Sequence, residues 1–70
     1  MAKINKKIGI RIRELRGKRG WTQEKLASET GLHRAYIGQI ERAEKNIGLK
    51  NLEKIANALK VDLFELFKQK

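Results

Sequence analysis

The stretch QEKLASETGLHRAYIGQIER, residues 23–42, predicts two short helices joined by a tight turn. Gly31 lies between them, and glycine readily adopts the left-handed conformation that ends a helix. Ala27 is small at the point where the second helix must approach the first. The apolar side chains that both helices would share are Leu26, Leu32, Ile37 and Ile40. We therefore expect helices over about 23–30 and 34–42, packed as a corner.

The rest of the chain has the spacing of further helices. Apolar residues recur every three or four positions in 4–16 and in 49–59, which predicts a helix in each segment. Asp62 and Glu65 have the spacing of a capping box for a short last helix at about 62–68. No segment alternates with a period of two, so we expect no strands. The predicted fold class is all-α, a compact five-helix bundle.

The net charge of +9 is concentrated at one end of the chain. Residues 1–20 carry eight Lys and Arg against Glu14 alone, whereas residues 21–70 carry nine basic and seven acidic residues. This excess suggests a polyanionic partner, either a nucleic acid or an anionic membrane surface. A solvated helix face and a frayed basic tail at residues 1–5 are the alternatives without a binding role.

Composition excludes several classes of function. The chain has no cysteine, so it forms no disulfide. It has one histidine, His33, which cannot build a metal site alone. No apolar run is long enough for a membrane span or a signal-peptide core. No paired carboxylates fall in a plausible cleft, so we expect no enzyme, no cofactor and no small-molecule ligand. We expect a single cytoplasmic domain that spans residues 1–70.

Five motifs follow one another along the chain: IRELR at 12–16, WTQEKLA at 21–27, GLHRAYIGQIER at 31–42, NLEKIANAL at 51–59 and VDLFELF at 61–67. Together they resemble the Cro/repressor-type (XRE) helix-turn-helix family of transcription regulators. The stretch 33–46 is most similar to the controller proteins of restriction–modification systems. The resemblance implies a lambda-repressor-like domain. In such a domain the second helix of the pair, called the recognition helix, enters the major groove of double-stranded DNA.

The resemblance and helix geometry together predict a DNA-contacting surface. If Ile37 and Ile40 face inward, the opposite side of their helix faces outward. Arginine suits the two acceptors of guanine, glutamine suits adenine, and a small side chain can touch the methyl group of thymine. The expected base-contacting residues are Arg34, Ala35 and Gln39. The expected phosphate-contacting residues are Gln23, His33, Tyr36, Arg42, Lys45 and Asn46.

Several of these residues have a structural alternative that the sequence leaves open. Gln23 lies in the first turn of its helix, and His33 would be an imperfect N-cap. Arg42 and Lys45 could pair with Glu41 or Glu44 instead of with phosphates.

The resemblance also implies a structural ion pair between Arg16 and Glu41, which would tie the first helix to the end of the recognition helix. Ala43 and Lys60 stand where many relatives have glycine. A left-handed conformation at Lys60 would cost about 1–2 kcal/mol relative to glycine.

The expected function is sequence-specific regulation of transcription by a homodimer on a palindromic operator, with repression or activation through RNA polymerase. The C-terminal helix offers more apolar surface than a small core needs, and the expected dimer interface is Ile55, Leu59, Phe64 and Phe67. The sequence does not divide core from interface, and a monomer is the alternative. The alternative functions are an antitoxin of the same fold that sequesters a toxin, and a basic domain that binds RNA or a membrane surface.

Overall fold

The computed structural model describes residues 3–68, and for Lys3 the backbone alone. The elements in chain order are α1 (Lys3–Lys18), α2 (Gln23–Thr30), α3 (Arg34–Glu41), α4 (Leu49–Leu59) and a 3₁₀ helix (Leu63–Phe67). The all-helical fold is confirmed, and the described range contains no strand. The count of five helices is wrong, because the structure has four α-helices and a 3₁₀ helix. No helix in the described range is long and apolar enough to cross a membrane.

The last helix differs from the prediction because its acidic residues have other partners. The Asp62 side chain makes no capping hydrogen bond, and only its carbonyl accepts from the N–H of Glu65, at 2.9 Å. The Glu65 carboxylate instead accepts from Arg11 at 3.1 Å and from Lys68 at 2.8 Å. These bonds lower the pKa of Glu65, with the Lys68 bond as the largest cause. The predicted capping box is therefore absent, and the segment keeps the tighter 3₁₀ geometry that short helices adopt.

The predicted basic tail at residues 1–5 is also wrong in part. The helix α1 begins at Lys3, so residues 3–5 are helical. Residues 1 and 2 lie outside the described residues. The helical spacing of apolar residues already reached Ile4, which is why the helix extends past the expected tail.

Three helices end in the same backbone arrangement. The first or second residue after the helix has a positive φ, which is 70° at Gly20, 59° at Ala43 and 58° at Lys60. In each case the N–H of the following residue donates to the carbonyl five residues before it, at 2.8 to 3.1 Å. These are Schellman-type ends, which usually use glycine. Ala43 and Lys60 adopt the conformation without being glycine, at a cost of about 1–2 kcal/mol each.

The core lies between α3 on one side and α4 with the 3₁₀ helix on the other, and α1 and α2 contact both. Its buried side chains are Ile8, Ile12, Leu26, Ala27, Ile37, Ile40, Leu52, Ile55, Ala56, Leu59 and Leu66. Every buried side-chain nitrogen or oxygen of the described residues has a hydrogen-bond partner. The apolar set predicted for the helix corner is therefore buried except for Leu32, which is half-buried at the core's edge.

Two of the four residues predicted for a dimer interface belong to this core. Ile55 is 0% exposed and Leu59 is 2% exposed, so neither has surface to offer a second subunit. The prediction is wrong for both, because their helix turns the stripe that carries them toward α2 and the 3₁₀ helix. Phe64 and Phe67 are 76% and 38% exposed, and they alone of the four remain available on the surface.

A close approach of α1 to α3 sets the position of the recognition helix. A Cβ atom built on Gly9 would lie 2.5 Å from the carbonyl oxygen of Ile40 and 2.8 Å from that of Glu41. Both distances are shorter than any side chain tolerates, and both neighbours are backbone atoms. Glycine at this position therefore permits the distance between the two helices.

Candidate nucleic-acid interface

A shallow depression runs along the exposed side of α3 and reaches the start of α2. Its lining residues are Gln23, His33, Arg34, Ala35, Gly38, Gln39 and Arg42. All three residues predicted to contact bases lie in this depression. Three of the six predicted to contact phosphate also lie there, namely Gln23, His33 and Arg42. The packing of Ile37 and Ile40 into the core turns the opposite side of α3 outward, which carries the three predicted base-contacting residues.

The start of α3 is held by His33, which acts as its N-cap. The Nδ1 atom of His33 accepts from the backbone N–H of Ala35 at 3.1 Å. Because Nδ1 is an acceptor, the neutral ring carries its proton on Nε2. His33 thus fills the cap position that the sequence suggested and keeps one N–H for a further acceptor. This capping orders the first turn, which carries Arg34 and Ala35.

Gly38 makes room for the side chains on either side of it. A Cβ atom at this position would lie 3.1 Å from Nη1 of Arg42 and 3.5 Å from Oε1 of Gln23. Both atoms belong to flexible side chains, which occupy the space that a larger residue would fill. Glycine here therefore lets Arg42 and Gln23 lie flat against the recognition helix.

Arg42, one of the basic side chains of the depression, forms an ion pair within the protein. The Nε and Nη2 atoms of Arg42 each lie 3.0 Å from an oxygen of the Glu44 carboxylate. Both side chains are more than half exposed. The hydrogen bonds from Arg42 lower the pKa of Glu44 below its ordinary value. The sequence left this pairing open as an alternative to a phosphate contact, and the structure forms it in the absence of DNA.

The Arg16–Glu41 pair lies directly behind the depression. The Nε atom of Arg16 is 2.7 Å from Oε2 of Glu41, and its Nη2 atom is 3.0 Å from Oε1. A third bond runs from Nη1 of Arg16 to the carbonyl of Trp21, at 2.8 Å. The side chain of Glu41 is 3% exposed, and its hydrogen bonds with Arg16 raise the pKa of the guanidinium. This geometry matches the ion pair that the resemblance implies.

The same carboxylate orients one residue of the depression. The Nε2 atom of Gln23 donates to Oε1 of Glu41 at 3.1 Å. A carboxylate accepts and never donates, so it selects the orientation in which the Gln23 amide nitrogen faces inward. The ion pair is therefore connected to the surface that would meet a ligand.

The other three predicted phosphate contacts lie outside the depression. The hydroxyl oxygen of Tyr36 accepts from Nδ2 of Asn51 at 3.0 Å, which leaves the hydroxyl proton for another acceptor. The Oδ1 atom of Asn46 accepts from Nδ2 of Asn5. Lys45 is exposed in the loop between α3 and α4. The contacts of Asn5 and Asn51 were not predicted, since each joins residues far apart in the chain.

Part of the N-terminal charge has a structural role. Arg11 donates to the carbonyl and carboxylate of Glu65, and Arg19 donates to the carbonyl of Leu59. The side chain of Arg19 also lies 5.0 Å from the centre of the Trp21 ring. The basic residues of α1 and of the turn that follows it therefore bind other elements as well as supplying an exposed basic surface, which composition alone did not indicate.

Two helices at a tight turn, with polar and basic side chains outward on the second, define a helix-turn-helix domain. The chain belongs to the helix-turn-helix family, whose model matches residues 12–66. It is a DNA-binding regulator of transcription of the XRE type, as the sequence motifs indicated.

Three relatives illustrate the similarity. The control protein C.BamHI of Bacillus amyloliquefaciens is 50% identical over 77% of this chain and 68% of its own length. A Neisseria meningitidis hypothetical transcription factor is 42% identical over 84% of this chain, which spans 56% of that protein. The crystal structure of the restriction-modification controller protein C.AhdI from Aeromonas hydrophila matches with a TM-score of 0.88, at 46% identity. That match covers 90% of this chain and 96% of the other.

Proposed function

We propose that the protein binds a palindromic operator as a homodimer and controls transcription from an adjoining promoter. In this proposal Arg34, Ala35 and Gln39 read base edges in the major groove. The six residues that hold the phosphate backbone are Gln23, His33, Tyr36, Arg42, Lys45 and Asn46. The observation that carries the proposal is the depression on α3, because it gathers all three base readers beside a capped helix start.

Replacement of Arg34 with alanine tests the proposed base contact. A bidentate contact to guanine contributes about 1–3 kcal/mol of discrimination, so the loss in each half-site is about fivefold to 150-fold. The operator would first be selected from random duplexes with the unaltered protein. We expect Arg34→Ala to lower the ratio of the affinity for operator to that for scrambled DNA by at least this factor, as measured by fluorescence anisotropy.

Arg13→Ala is the matched control for this test, because Arg13 is an exposed arginine on α1 outside the depression. It removes the same charge and is expected to leave the ratio of the two affinities unchanged. Circular dichroism would establish that both variants fold. If Arg34→Ala still discriminates operator from scrambled DNA as the unaltered protein does, the assignment of Arg34 is wrong.

The proposed dimer uses the apolar surface at the C-terminal end of the described chain. Phe64 is 76% exposed and Phe67 38% exposed, and Leu49 at the start of α4 is 68% exposed. Leu49 and Leu63 line a shallow, largely apolar groove between α4 and the 3₁₀ helix. Phe64 adjoins Leu63 of this groove in the chain, and exposed apolar side chains that form one patch are typical of an interface. On a palindromic operator the two recognition helices of such a dimer would have to lie about 34 Å apart, one turn of DNA.

Phe64→Glu is expected to convert the dimer to a monomer, because the charge would have to be buried against a second copy. Analytical ultracentrifugation would show the mass of one chain instead of two. Ile10→Glu is the control, since Ile10 is an exposed apolar residue on α1, outside the two elements that carry this surface. A dimer that persists in Phe64→Glu would remove this surface from the interface.

The similarity to control proteins favours a regulator of a restriction–modification system for this chain. Such a regulator would block or recruit RNA polymerase according to how its operator overlaps the promoter. Its site of action would be the bacterial cytoplasm, where the chromosomal DNA is located. A promoter–reporter assay with the selected operator would give the direction of regulation.

A further inference from the structure

The ion pair between Arg42 and Glu44 places an acidic residue at the edge of the candidate DNA surface. Arg42 lines the depression, and its guanidinium lies against Gly38 of the recognition helix. Glu44 accepts from the Nε and Nη2 edge of that guanidinium, with both distances at 3.0 Å. The two side chains are 57% and 54% exposed, so approaching DNA would meet the pair and not a free cation.

The backbone fixes Glu44 at this position. Its N–H donates to the carbonyl of Gln39 at 2.8 Å, and the N–H of Ala43 donates to the carbonyl of Ile40 at 3.0 Å. The positive φ of Ala43 turns the chain so that Glu44 returns beside Arg42. The carboxylate is therefore attached to the closed end of α3 and does not depend on the loop that follows.

We propose that Glu44 limits the sequence-independent binding of this protein to DNA by neutralising Arg42. Such binding depends on how many phosphates are neutralised by Lys and Arg, because each contact releases counterions. An arginine joined edge-on to a carboxylate is a neutral unit, so Arg42 adds no net positive charge against a phosphate while Glu44 stays in place. The inference rests on the proposed function, since it requires that the depression face DNA.

The energetic role of the pair makes Glu44 suitable for substitution. An exposed ion pair contributes little to folding, because water screens both charges and both side chains lose conformational freedom. The backbone bonds that hold the end of α3 do not involve the Glu44 side chain. Glu44→Gln therefore removes the charge and leaves the helix end intact, so a change in DNA binding reports on the charge.

The experiment compares Glu44→Gln with Glu29→Gln. Glu29 is a matched control, because it is exposed, pairs with Lys25 at 3.0 Å and lies outside the depression. Affinity for a short labelled duplex of random sequence would be measured over a range of NaCl concentrations. One further phosphate contact steepens the slope of log K against log salt by about 0.9, which corresponds to about eightfold tighter binding near 0.1 M salt. We expect this change for Glu44→Gln and a much smaller one for Glu29→Gln.

A double variant shows whether Glu44 acts through Arg42. In the Arg42→Ala background, Glu44→Gln is expected to leave the slope unchanged. The inference fails if Glu44→Gln alone does not steepen the slope, if Glu29→Gln steepens it equally, or if the effect persists without Arg42. If the unaltered protein does not bind duplex DNA even at low salt, the proposed function fails as well. If it binds and Glu44→Gln changes nothing, the inference alone fails.

Discussion

Replacement of Glu41 with alanine is expected to lower the free energy of unfolding by about 3–5 kcal/mol. The carboxylate is 3% exposed and accepts two hydrogen bonds from Arg16 at 2.7 and 3.0 Å. Removal of the carboxylate leaves the charge of Arg16 without its partner, and the Arg16 side chain is only 16% exposed. The Gln23 amide also loses its acceptor. A chain of 70 residues has about 4–10 kcal/mol of stability in total, so this variant would be partly unfolded at room temperature.

Glu44→Ala is the matched control for Glu41→Ala. Both glutamates lie near the end of α3 and accept two bonds from one arginine, but the Glu44 pair is more than half exposed. Water already screens that pair, so its loss is expected to change stability little. Urea denaturation followed by circular dichroism measures both variants. If the two variants are equally stable, the buried Arg16–Glu41 pair contributes no more to stability than the exposed Arg42–Glu44 pair.

Gly9→Ala is the second substitution with a large expected effect, a loss of about 2 kcal/mol in the free energy of unfolding. Alanine favours a helix over glycine by about 1 kcal/mol, so an isolated α1 would gain stability. In the folded protein the new methyl group would lie 2.5 and 2.8 Å from two carbonyl oxygens of α3. Backbone atoms cannot rotate away, so α1 and α3 must separate, and such overpacking costs about 1–3 kcal/mol or more.

Gly17→Ala isolates the packing contribution to this effect. Gly17 lies in the same helix, and a Cβ atom there would have no neighbour within 4 Å. The identical substitution is therefore expected to raise the free energy of unfolding by about 1 kcal/mol. The two variants should move the urea midpoint in opposite directions. A Gly9→Ala protein as stable as the unaltered one would show that the helices can separate at no cost.

The close approach at Gly9 was not predicted, although the sequence contains a signal for it. A glycine inside a segment with strong helical spacing is unfavourable unless packing requires it. Gly9 stands beside Ile8, on the side of the helix that carries the buried stripe. Gly17 stands in the same helix with no such contact, so the sequence alone does not tell which of the two is required.

The dimer prediction failed in part for a related reason. The segment has more apolar residues than a small core needs, among them Ile55, Leu59, Phe64 and Phe67. The apolar character of a residue does not tell whether it packs into the core or against a second subunit. The orientation of each helix decides which stripe is enclosed, and that depends on contacts between residues far apart in sequence. Ile55 and Leu59 are enclosed by α2 and the 3₁₀ helix, whereas Phe64 is exposed.

The sequence by itself determined the four α-helices, the turn at Gly31, the family and the outward side of the recognition helix. These features follow from spacing, capping and local backbone preferences, which act between residues a few positions apart. Only the tertiary structure decided which residues are partners. It joined Glu41 to Gln23 as well as to Arg16, and it paired the Glu65 carboxylate with Arg11. Such pairings depend on the angles and distances between helices, which close packing of the core sets and which no local pattern encodes.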